Sequence, residues 1–471
     1  MKLKTSQKAA FGFGAFGKDV VYMLIATYLL NYYNVVLGMN AAFIGMVMMG
    51  ARVFDAFNDP LMGIVVAKTK TKFGRFRPWI LAGTVLNALT IFALFAAPAT
   101  DNPDSGLMRT WLAVFYVLWG VTYTLMDIPF WSMIPAVTEP GTDREGLTAL
   151  ARTCSGIGDA LPTVLTNMVV PIFSGIVIGH QVTTGNYSEW KSGYLIWAII
   201  IAVVFIISEA LMVIRVPEPK IDDDFKAPSV FQMFKSLFSN DQAMVVVFSI
   251  ICVYASLNIC GNLVLYFFQF DVGNPGGYSL FTAVAFGFQV LTMMLIPMFR
   301  KWFSKNQLFL AGFIIQIAGF VIILCMAYFN VYTPENWMIL CVPGALIYVG
   351  YGMLNVIMTI FLSDSVDYGE IKNGTREESV IFSMQTFTVK LASGVAVALA
   401  GGVIEWIKLD TADGAVQTAE TLNGLRLWMT VPSVILLVIG MILYKALYKL
   451  DEKKMEEIKG QLEAKNKTAG E

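Results

Sequence analysis

Long apolar runs separated by short polar breaks dominate the pattern of hydrophobic and polar positions. A helix needs about 20 apolar residues to cross the ~30 Å hydrocarbon layer of a bilayer, and runs of that length recur along the whole chain. The runs lie at residues 10–37, 42–67, 78–98, 109–138, 151–178, 193–215, 243–271, 278–298, 307–328, 336–363, 377–404 and 424–447. The pattern therefore predicts an all-α integral membrane protein with twelve transmembrane helices.

The polar breaks differ in charge, and the difference indicates which side of the membrane each one faces. Basic residues precede the first run, follow the second, separate the eighth from the ninth and recur in the tail, at Lys2, Lys4, Lys8, Lys68, Lys70, Lys72, Arg75, Arg77, Arg300, Lys301, Lys305 and Lys445. Intervening breaks such as 36–40 and 272–277 carry none. Because basic loops stay on the cytoplasmic side, both termini are predicted to be cytoplasmic, as an even number of helices also requires.

The longest polar break between two runs divides the chain into halves. It spans residues 216–242 and separates the first six runs from the last six. We therefore predict an N-terminal six-helix half at 1–215, a cytoplasmic linker at 216–242, a C-terminal six-helix half at 243–447 and a charged cytoplasmic tail at 448–471. Transporters are commonly built from two such halves.

Composition supports a membrane protein and narrows its chemistry. The 471 residues are 56% hydrophobic and 14% charged, with a mean hydropathy of +0.65, whereas soluble domains average about 45–50% and about 25%. The 33 basic and 34 acidic residues give a net charge of −1, which argues against nucleic acid as a partner. The five cysteines lie in apolar runs without metal-ligand spacing, and His180 is the one histidine. We therefore predict no enzymatic activity and no cofactor other than a coupling ion.

The second run contains a pair of acids that a membrane interior tolerates poorly. Asp55 and Asp59 are four residues apart and so share one helix face, with Arg52 one turn earlier and Asn58 beside Asp59. Two carboxylates one turn apart cannot both stay ionised in a low dielectric without compensation. Carboxylates with an amide and a hydroxyl form an oxygen cage suited to a small alkali ion. The alternative is a static ion-pair network with Arg52.

A second polar cluster lies in the first and fourth runs. Tyr123, Asp127 and Trp131 recur at intervals of four and line one stripe of a helix. An indole ring can pack against the CH face of a sugar while a carboxylate accepts its hydroxyls. The alternative is a packed aromatic stripe with one ion-paired acid. Lys18 and Asp19 add a charged pair, which could instead be a helix-end pair reaching water.

Three further ionisable residues lie in apolar runs of the fifth and eleventh helices. Arg152 could reach Asp127 or Asp19, or could anchor to lipid headgroups, and Asp159 has no assigned role. Lys390 has no obvious partner in its own segment. A lysine that pairs with the acids of the second helix whenever a cation leaves would provide two competing occupancies, which is what coupled transport requires.

Five short motifs together resemble one transporter family. They are GAFGKD at 14–19, DAFNDPLMG at 55–63, GRFRPW at 74–79, MDIPFW at 126–131 and DSVDYGE at 364–370. These motifs resemble the glycoside–pentoside–hexuronide:cation symporters, a branch of the major facilitator superfamily. The resemblance covers nearly the whole chain.

The resemblance implies specific roles for residues of this sequence. It implies a sodium, lithium or proton site at Asp55, Asn58, Asp59 and Thr124, with Na⁺ held by Asp55 and Asp59. It implies a sugar site at Lys18, Asp19, Tyr123, Asp127, Trp131 and Arg152. It implies coupling through Lys390, with Gln385 and Thr386 beside it. It implies a cytoplasmic gate in which Arg75 and Arg77 of the basic 68–77 loop pair with acids of the 139–145 and 364–370 loops, including Asp364 and Asp367.

One departure bears on the substrate. A melibiose-transporting member of the family has a tryptophan beside the sugar in its tenth helix, where Asn355 falls closest in this chain, and Asp159 also differs from that member. The predicted function is sodium-, lithium- or proton-coupled symport of a sugar, most simply a glycoside such as a melibiose-like disaccharide, by alternating access. Symport of a pentoside, a hexuronide or a lysophospholipid on the same fold is the alternative. We expect a monomer surrounded by lipid in a bacterial plasma or inner membrane.

Overall fold

The computed structural model describes residues 3–182, 187–218, 235, 238–274, 277–374, 376–409 and 417–468. Lys2 and most of the predicted 216–242 linker lie outside them. The long helices are α1 (Thr5–Asn31), α2 (Ala41–Lys68), α3 (Arg77–Phe95), α4 (Gly106–Val137), α5 (Thr142–Ile178), α6 (Lys191–Arg215), α7 (Asp241–Tyr266), α8 (Gly277–Phe299), α9 (Lys305–Tyr328), α10 (Cys341–Asn373), α11 (Glu378–Trp406), α12 (Ala419–Leu447) and α13 (Glu452–Thr468). The predicted all-α class is confirmed.

The described residues contain ten helices that are long and apolar enough to cross a membrane. They are α1, α3 to α10 and α12, and α1, α7 and α10 are extended by short π or 3₁₀ segments. The helices α2 and α11 have 28 and 29 residues and coincide with the predicted second and eleventh runs. Twelve spans and cytoplasmic termini stay predictions.

Two helices run further than hydropathy indicates. Helix α5 begins at Thr142 rather than at 151, and α10 continues to Asn373 rather than ending at 363. The description of 364–370 as a loop was therefore wrong, because these residues are helical throughout, and the description of 139–145 as a loop holds only for 139–141, because 142–145 open α5. Hydropathy reports only the part of a helix that faces lipid, whereas backbone hydrogen bonds continue wherever the protein itself surrounds polar side chains.

Local signals set several helix ends. The side chains of Asn40 and Ser105 accept hydrogen bonds from the backbone N–H groups of the first turns of α2 and α4. Ser304 and the side chain of Gln307 form a reciprocal capping box at the start of α9. Gly374 ends α10 at φ +76°, a left-handed conformation that favours glycine. These caps explain why the breaks occur at these positions.

The chain forms two compact units. One contains Met1–Met233 with Glu377–Phe387, and the other contains Phe234–Arg376 with Thr388–Glu471. In the first unit α1 packs against α5 and α6, and α4 packs against α2 and α3. In the second unit α10 packs against α8 and α9, and α12 packs against α7 and α9. The domain boundaries drawn from the sequence stay predictions.

The charged tail forms an ordered helix in the second unit. Met455 and Ile458 of α13, with Leu450 before it, form a buried apolar cluster against Tyr368 and Ile371 of α10. At the start of α13, Glu452 also pairs with Arg300 at 2.9 Å. The tail therefore covers the polar end of α10.

Candidate functional site

The acid pair of α2 is buried against α4. The exposed fractions of Asp55 and Asp59 are 6% and 0%. The hydroxyl of Thr124 donates to Asp59 Oδ1 at 2.8 Å. Beside Asp55, a Cβ added at Gly120 would stand 2.6 Å from its Oδ1, so the glycine allows the carboxylate to approach the α4 backbone. Two carboxylates and a hydroxyl of the predicted cation site are thus close together, and Asn58 lies half-buried on the same helix.

Arg52 has neighbours other than the acid pair. Its guanidinium lies within electrostatic range of Tyr22 of α1 and Tyr116 of α4 as well as of Asp55. Pro60 also lies inside α2 and, having no N–H, cannot donate to the carbonyl of residue 56. The acids of α2 therefore lie beside backbone and side-chain oxygens as well as beside one cation.

Lys18 is at the centre of a second buried cluster. Its Nζ lies 2.7 Å from Asp19 Oδ1, 2.9 Å from Asp127 Oδ1 and 3.4 Å from the Tyr123 hydroxyl. That hydroxyl in turn donates to Asp19 Oδ1 at 2.9 Å. The exposed fraction of the Lys18 side chain is only 3%. The alternative of a pair that reaches water at a helix end was therefore wrong, because α1 places this lysine inside the helix bundle of the first unit.

The ring of Trp131 lies close to both cations of this cluster. Its indole Nε1 donates to Asp127 Oδ1 at 3.0 Å. The Nζ of Lys18 lies 4.8 Å from the ring centroid and the Cζ of Arg152 lies 3.8 Å from it. Such cation–π contacts are strongest where water is excluded. The structure thus brings together all six residues of the predicted sugar site, and Arg152 is part of that cluster rather than a headgroup anchor.

Two residues of this region were missed from the sequence. Ser155 of α5 donates to Asp19 Oδ2. Glu209 of α6 is fully buried, and neither of its carboxylate oxygens has a hydrogen-bond partner among the residues described. Glu209 could have been identified from the sequence, because it is a lone acid within the apolar run 193–215. Any ionisable residue in a membrane segment suggests function. Ser155 carried no comparable signal.

The residues predicted for coupling are divided between the units. Gln385 and Thr386 group with the first unit and Lys390 with the second. Thr386 donates back to the carbonyl of Phe382 at 3.3 Å. The coupling role of these three residues stays a prediction.

A polar aromatic cluster in the second unit surrounds the position that lacks the expected tryptophan. The amide of Asn355 donates to the hydroxyls of Tyr254 and Tyr351 at 3.1 and 3.0 Å. The two tyrosine rings are 5.7 Å apart and nearly perpendicular. Sequence reasoning identified Asn355 but neither tyrosine.

Within the first unit, the basic loop after α2 is held by acids that the sequence did not indicate. The backbone N–H groups of Arg75, Phe76 and Arg77 all donate to the carboxylate of Glu218. The guanidinium of Arg75 also pairs with Glu378 at 3.3 Å. Both acids therefore hold this loop in the first unit.

Within the second unit, the predicted gate acids have basic neighbours of their own. Asp364 pairs with Lys305 at 2.5 Å, and Arg376 pairs with Asp367 and Glu370 at 2.8 Å each. The predicted pairing of these acids with Arg75 and Arg77 in a gate stays a prediction.

Comparison with known proteins identifies the family of the chain. Residues 10–452 match the family model described as MFS/sugar transport protein. The chain belongs to this family. The resemblance to the cation symporters is thus confirmed, and the chain is a multi-pass transporter of the bacterial cell membrane rather than an enzyme.

Individual relatives cover most of the chain at modest identity. A lactose permease of Lactobacillus delbrueckii subsp. bulgaricus is 27% identical, covering 98% of this chain and 73% of its own length. A putative sulfoquinovose importer of Salmonella typhimurium is also 27% identical, covering 99% and 94%. The crystal structure of FucP, a major facilitator transporter in its outward conformation, is 14% identical and superposes with a TM-score of 0.64 over 92% of this chain and 98% of its own. This last likeness shows the fold alone.

Proposed function

We propose that this sugar transporter couples uptake of a glycoside to entry of a monovalent cation, with sodium as the preferred ion. The observation that carries the proposal is the buried acid pair of α2, with Thr124 donating to Asp59 at 2.8 Å. Thr124 is the neighbour of Tyr123 and lies three residues before Asp127. One helix therefore carries a candidate cation ligand and two candidate sugar contacts.

The chemistry of the acid pair supports a cation. Ionised carboxylates in a membrane interior need a compensating charge, and buried charges are stabilised only where paired and hydrogen-bonded. A small alkali ion with carboxylate and hydroxyl ligands at Asp55, Asp59 and Thr124 would satisfy both conditions. Asn58 would supply a neutral oxygen from the same helix. The alternative to a bound metal ion is that one of the two acids is protonated.

The chemistry of the Lys18 cluster supports a sugar. Trp131 supplies an aromatic face, while Asp19 and Asp127 supply acceptors that are held in place by Lys18. Charge-assisted hydrogen bonds from sugar hydroxyls to such carboxylates are about twice as strong as neutral ones. The name of the lactose permease favours a disaccharide. Sulfoquinovose is a sulfonated sugar, so the names of the relatives leave the charge of the substrate open.

The proposed coupling requires that binding of each ligand fixes residues that bind the other ligand. A cation that fixes Asp59 against Thr124 also fixes the stretch of α4 that carries Tyr123 and Asp127. The two ligands then raise each other's affinity by the same factor, typically about 5–150-fold. In this proposal Lys390, with Gln385 and Thr386 nearby, neutralises the acids when the ion leaves. Gating would involve Arg75, Arg77, Asp364 and Asp367 in alternating access.

Uptake into membrane vesicles tests this function directly. A panel of radiolabelled α- and β-glycosides is offered at constant pH, with and without an inward sodium gradient. We expect at least one glycoside to accumulate, and the sodium gradient to raise its accumulation. Equal accumulation with sodium replaced by choline, driven instead by a pH gradient, would assign the acid pair to protons. No uptake of any sugar would contradict the proposal.

A further inference from the structure

Polar side chains form a stripe along α7, a strongly apolar helix of the second unit. Tyr254, Asn258 and Asn262 recur at intervals of four residues, so they lie on one side of the helix. All three are half-buried, and residues 242–270 around them contain no Asp, Glu, Lys, Arg or His. Polar side chains in a membrane helix face the interior of the protein or water rather than lipid. The stripe therefore indicates a polar surface on the second unit.

The other side of α7 packs against α12. Ser433 of α12 donates to the backbone carbonyl of Ser256 at 2.9 Å. Ser256 is two residues from both Tyr254 and Asn258, so it lies about 200° around the helix from each of them. The polar stripe therefore lies on the side of α7 that points away from α12.

Helix α10 adds a second polar stripe next to the first. Tyr348, Tyr351 and Asn355 follow one another at intervals of three and four residues and so share one side of α10. The amide of Asn355 joins the two helices, because it donates to the hydroxyls of Tyr254 and Tyr351 at 3.1 and 3.0 Å. The centroids of the Tyr348 and Tyr351 rings are 6.4 Å apart. We call the two stripes together the tyrosine–asparagine face, which consists of Tyr254, Asn258, Asn262, Tyr348, Tyr351 and Asn355.

Several polar atoms of this face have hydrogen-bonding capacity left over. The amides of Asn258 and Asn262 donate to the carbonyls of Tyr254 and Asn258, one turn earlier, at 2.7 Å each. Their side-chain oxygens have no donor among the residues described, and the same holds for the buried Oδ1 of Asn355. The hydroxyl of Tyr254 accepts from Asn355 and keeps its own O–H as a donor. Because an unpaired buried acceptor is costly, a ligand with several hydroxyl groups would suit this face.

The tyrosine–asparagine face differs in charge from the Lys18 cluster of the first unit. Residues 341–363 of α10, like 242–270 of α7, contain no Asp, Glu, Lys, Arg or His. The Lys18 cluster offers carboxylates that an ammonium group holds in place. The face offers aromatic rings, which can pack against the CH side of a sugar ring, and neutral amide and phenol groups for its hydroxyls. Each unit thus has its own set of groups suited to a sugar ring.

We propose that the tyrosine–asparagine face binds the second ring of a disaccharide, as the contribution of the second unit to substrate recognition. The inference rests on the proposed sugar-binding function. It narrows the substrate class from glycosides in general to disaccharides whose second ring is uncharged. Tyr254 and Asn258 are the binding residues that determine this preference, because they supply a ring, a hydroxyl donor and an amide acceptor.

Disaccharides and matched methyl glycosides test the inference. The purified full-length transporter is titrated in sodium with lactose, melibiose and cellobiose, and with methyl β-D-galactoside, methyl α-D-galactoside and methyl β-D-glucoside. Each methyl glycoside keeps the first ring and the anomer of one disaccharide and replaces the second ring, which is glucose in all three. The wild type should bind at least one disaccharide about threefold or more tighter than its methyl glycoside, the effect of one added hydrogen bond.

Variants of α7 assign the preference to the face. Asn258→Leu removes the amide, and Tyr254→Phe removes the hydroxyl but keeps the ring. Each variant should lower the affinity for the disaccharide about three- to tenfold and leave the affinity for its methyl glycoside unchanged, which also shows that the variant is folded. Ser256→Ala is the matched control, since it removes a hydroxyl from the other side of the same helix, where it donates to the carbonyl of Val253. The control should keep both affinities.

Three results would overturn the inference. The first is a wild type that binds none of the disaccharides more tightly than its methyl glycoside. The second is wild-type affinity for the disaccharide in both variants, as expected if only water occupies the face. The third is an equal loss for both members of a pair. If no sugar of these pairs or of the uptake panel binds the wild type, the proposed function itself fails.

Discussion

At the scale of single residues, the first unit deals with buried carboxylates in two different ways. Lys18 is a fixed cation within hydrogen-bonding distance of both Asp19 and Asp127. The acids of α2 instead have Thr124 as a hydroxyl donor and share Arg52 with two tyrosines. A fixed ammonium suits acids that orient a sugar. The hydroxyl of Thr124 beside Asp59 is a neutral oxygen of the kind that the proposed alkali-ion site requires.

Glu209 presents a third case, because burial favours its neutral form. An ionised carboxylate without partners costs far more to bury than a neutral acid, and both oxygens of Glu209 lack partners in the described residues. We expect Glu209→Gln, a neutral residue of the same shape, to keep the thermal unfolding midpoint and the uptake rate of the wild type. Glu209→Ala should lower stability by about 2–5 kcal/mol, as for other large buried side chains.

Thermal unfolding of the purified variants in one detergent checks this expectation. Glu189→Gln, which removes a carboxylate from the short helix before α6, controls for the loss of an acid as such. A large loss of stability in Glu209→Gln with none in the control would mean that Glu209 is ionised and paired through its charge.

The sequence predicted the residues of the sugar cluster better than it predicted their contacts. Tyr123, Asp127 and Trp131 could be grouped because helical periodicity alone puts them on one stripe. The stacking of Arg152 on Trp131 at 3.8 Å could not be predicted, because it depends on how α5 packs beside α4 and α1. Contacts within one helix follow from spacing, but contacts between helices follow from tertiary packing.

At the scale of helices, close approach of α1 and α5 positions the Lys18 cluster. An added Cβ at Gly158 would lie 2.5 Å from the Phe16 oxygen and 3.2 Å from the Val20 nitrogen. Both are backbone atoms, so they cannot rotate away as a side chain would. Lys18 and Asp19 lie between these two contacts on α1. The distance between the helices therefore sets the position of the charged pair relative to Ser155 and Arg152.

We expect Gly158→Ala to weaken sugar binding at least about tenfold, since a displacement of ~1 Å at a positioned site can cost that much or more. Gly146→Ala is the matched control, because it lies on the same helix with nothing within 4 Å of the added carbon. The control should bind sugar normally and gain up to about 1 kcal/mol in helix stability. Titration of both variants with the best glycoside of the uptake panel provides the measurement. Wild-type affinity in Gly158→Ala would show that the helices can separate without disturbing the site.

Helix boundaries show where hydropathy fails as a guide. The polar residues 364–370 indicated a loop, yet Asp364 and Asp367 are buried at 0% and 1% exposure within α10. Lys305 and Arg376 neutralise them. A helix surrounded by protein can carry acids that a helix facing lipid could not, and composition alone does not distinguish the two environments.

At the scale of the whole molecule, each unit has its own ion pairs and charged hydrogen bonds at the polar ends of its helices. In the first unit Glu218 and Glu378 hold the loop between α2 and α3. In the second unit Lys305 and Arg376 hold the end of α10, and α13 packs against the same end. All of these ion pairs lie inside one unit or the other, so each unit is stabilised by its own contacts.

Energy coupling is a property of the whole transporter and can be separated from sugar binding. If the acids of α2 hold the ion, the double variant Asp55→Asn/Asp59→Asn should lose sodium-driven accumulation but keep exchange of internal for external sugar, because the Lys18 cluster is untouched. A tenfold sodium gradient is worth about 1.4 kcal/mol per ion, so the wild type should accumulate sugar about tenfold for each ion coupled.

Uptake and counterflow in the same vesicles measure both quantities, with Asp101→Asn as the charge control. Sodium-driven accumulation by the double variant at the wild-type level would place the coupling ion elsewhere, whereas loss of both accumulation and counterflow would show that the acids are needed for the conformational change itself.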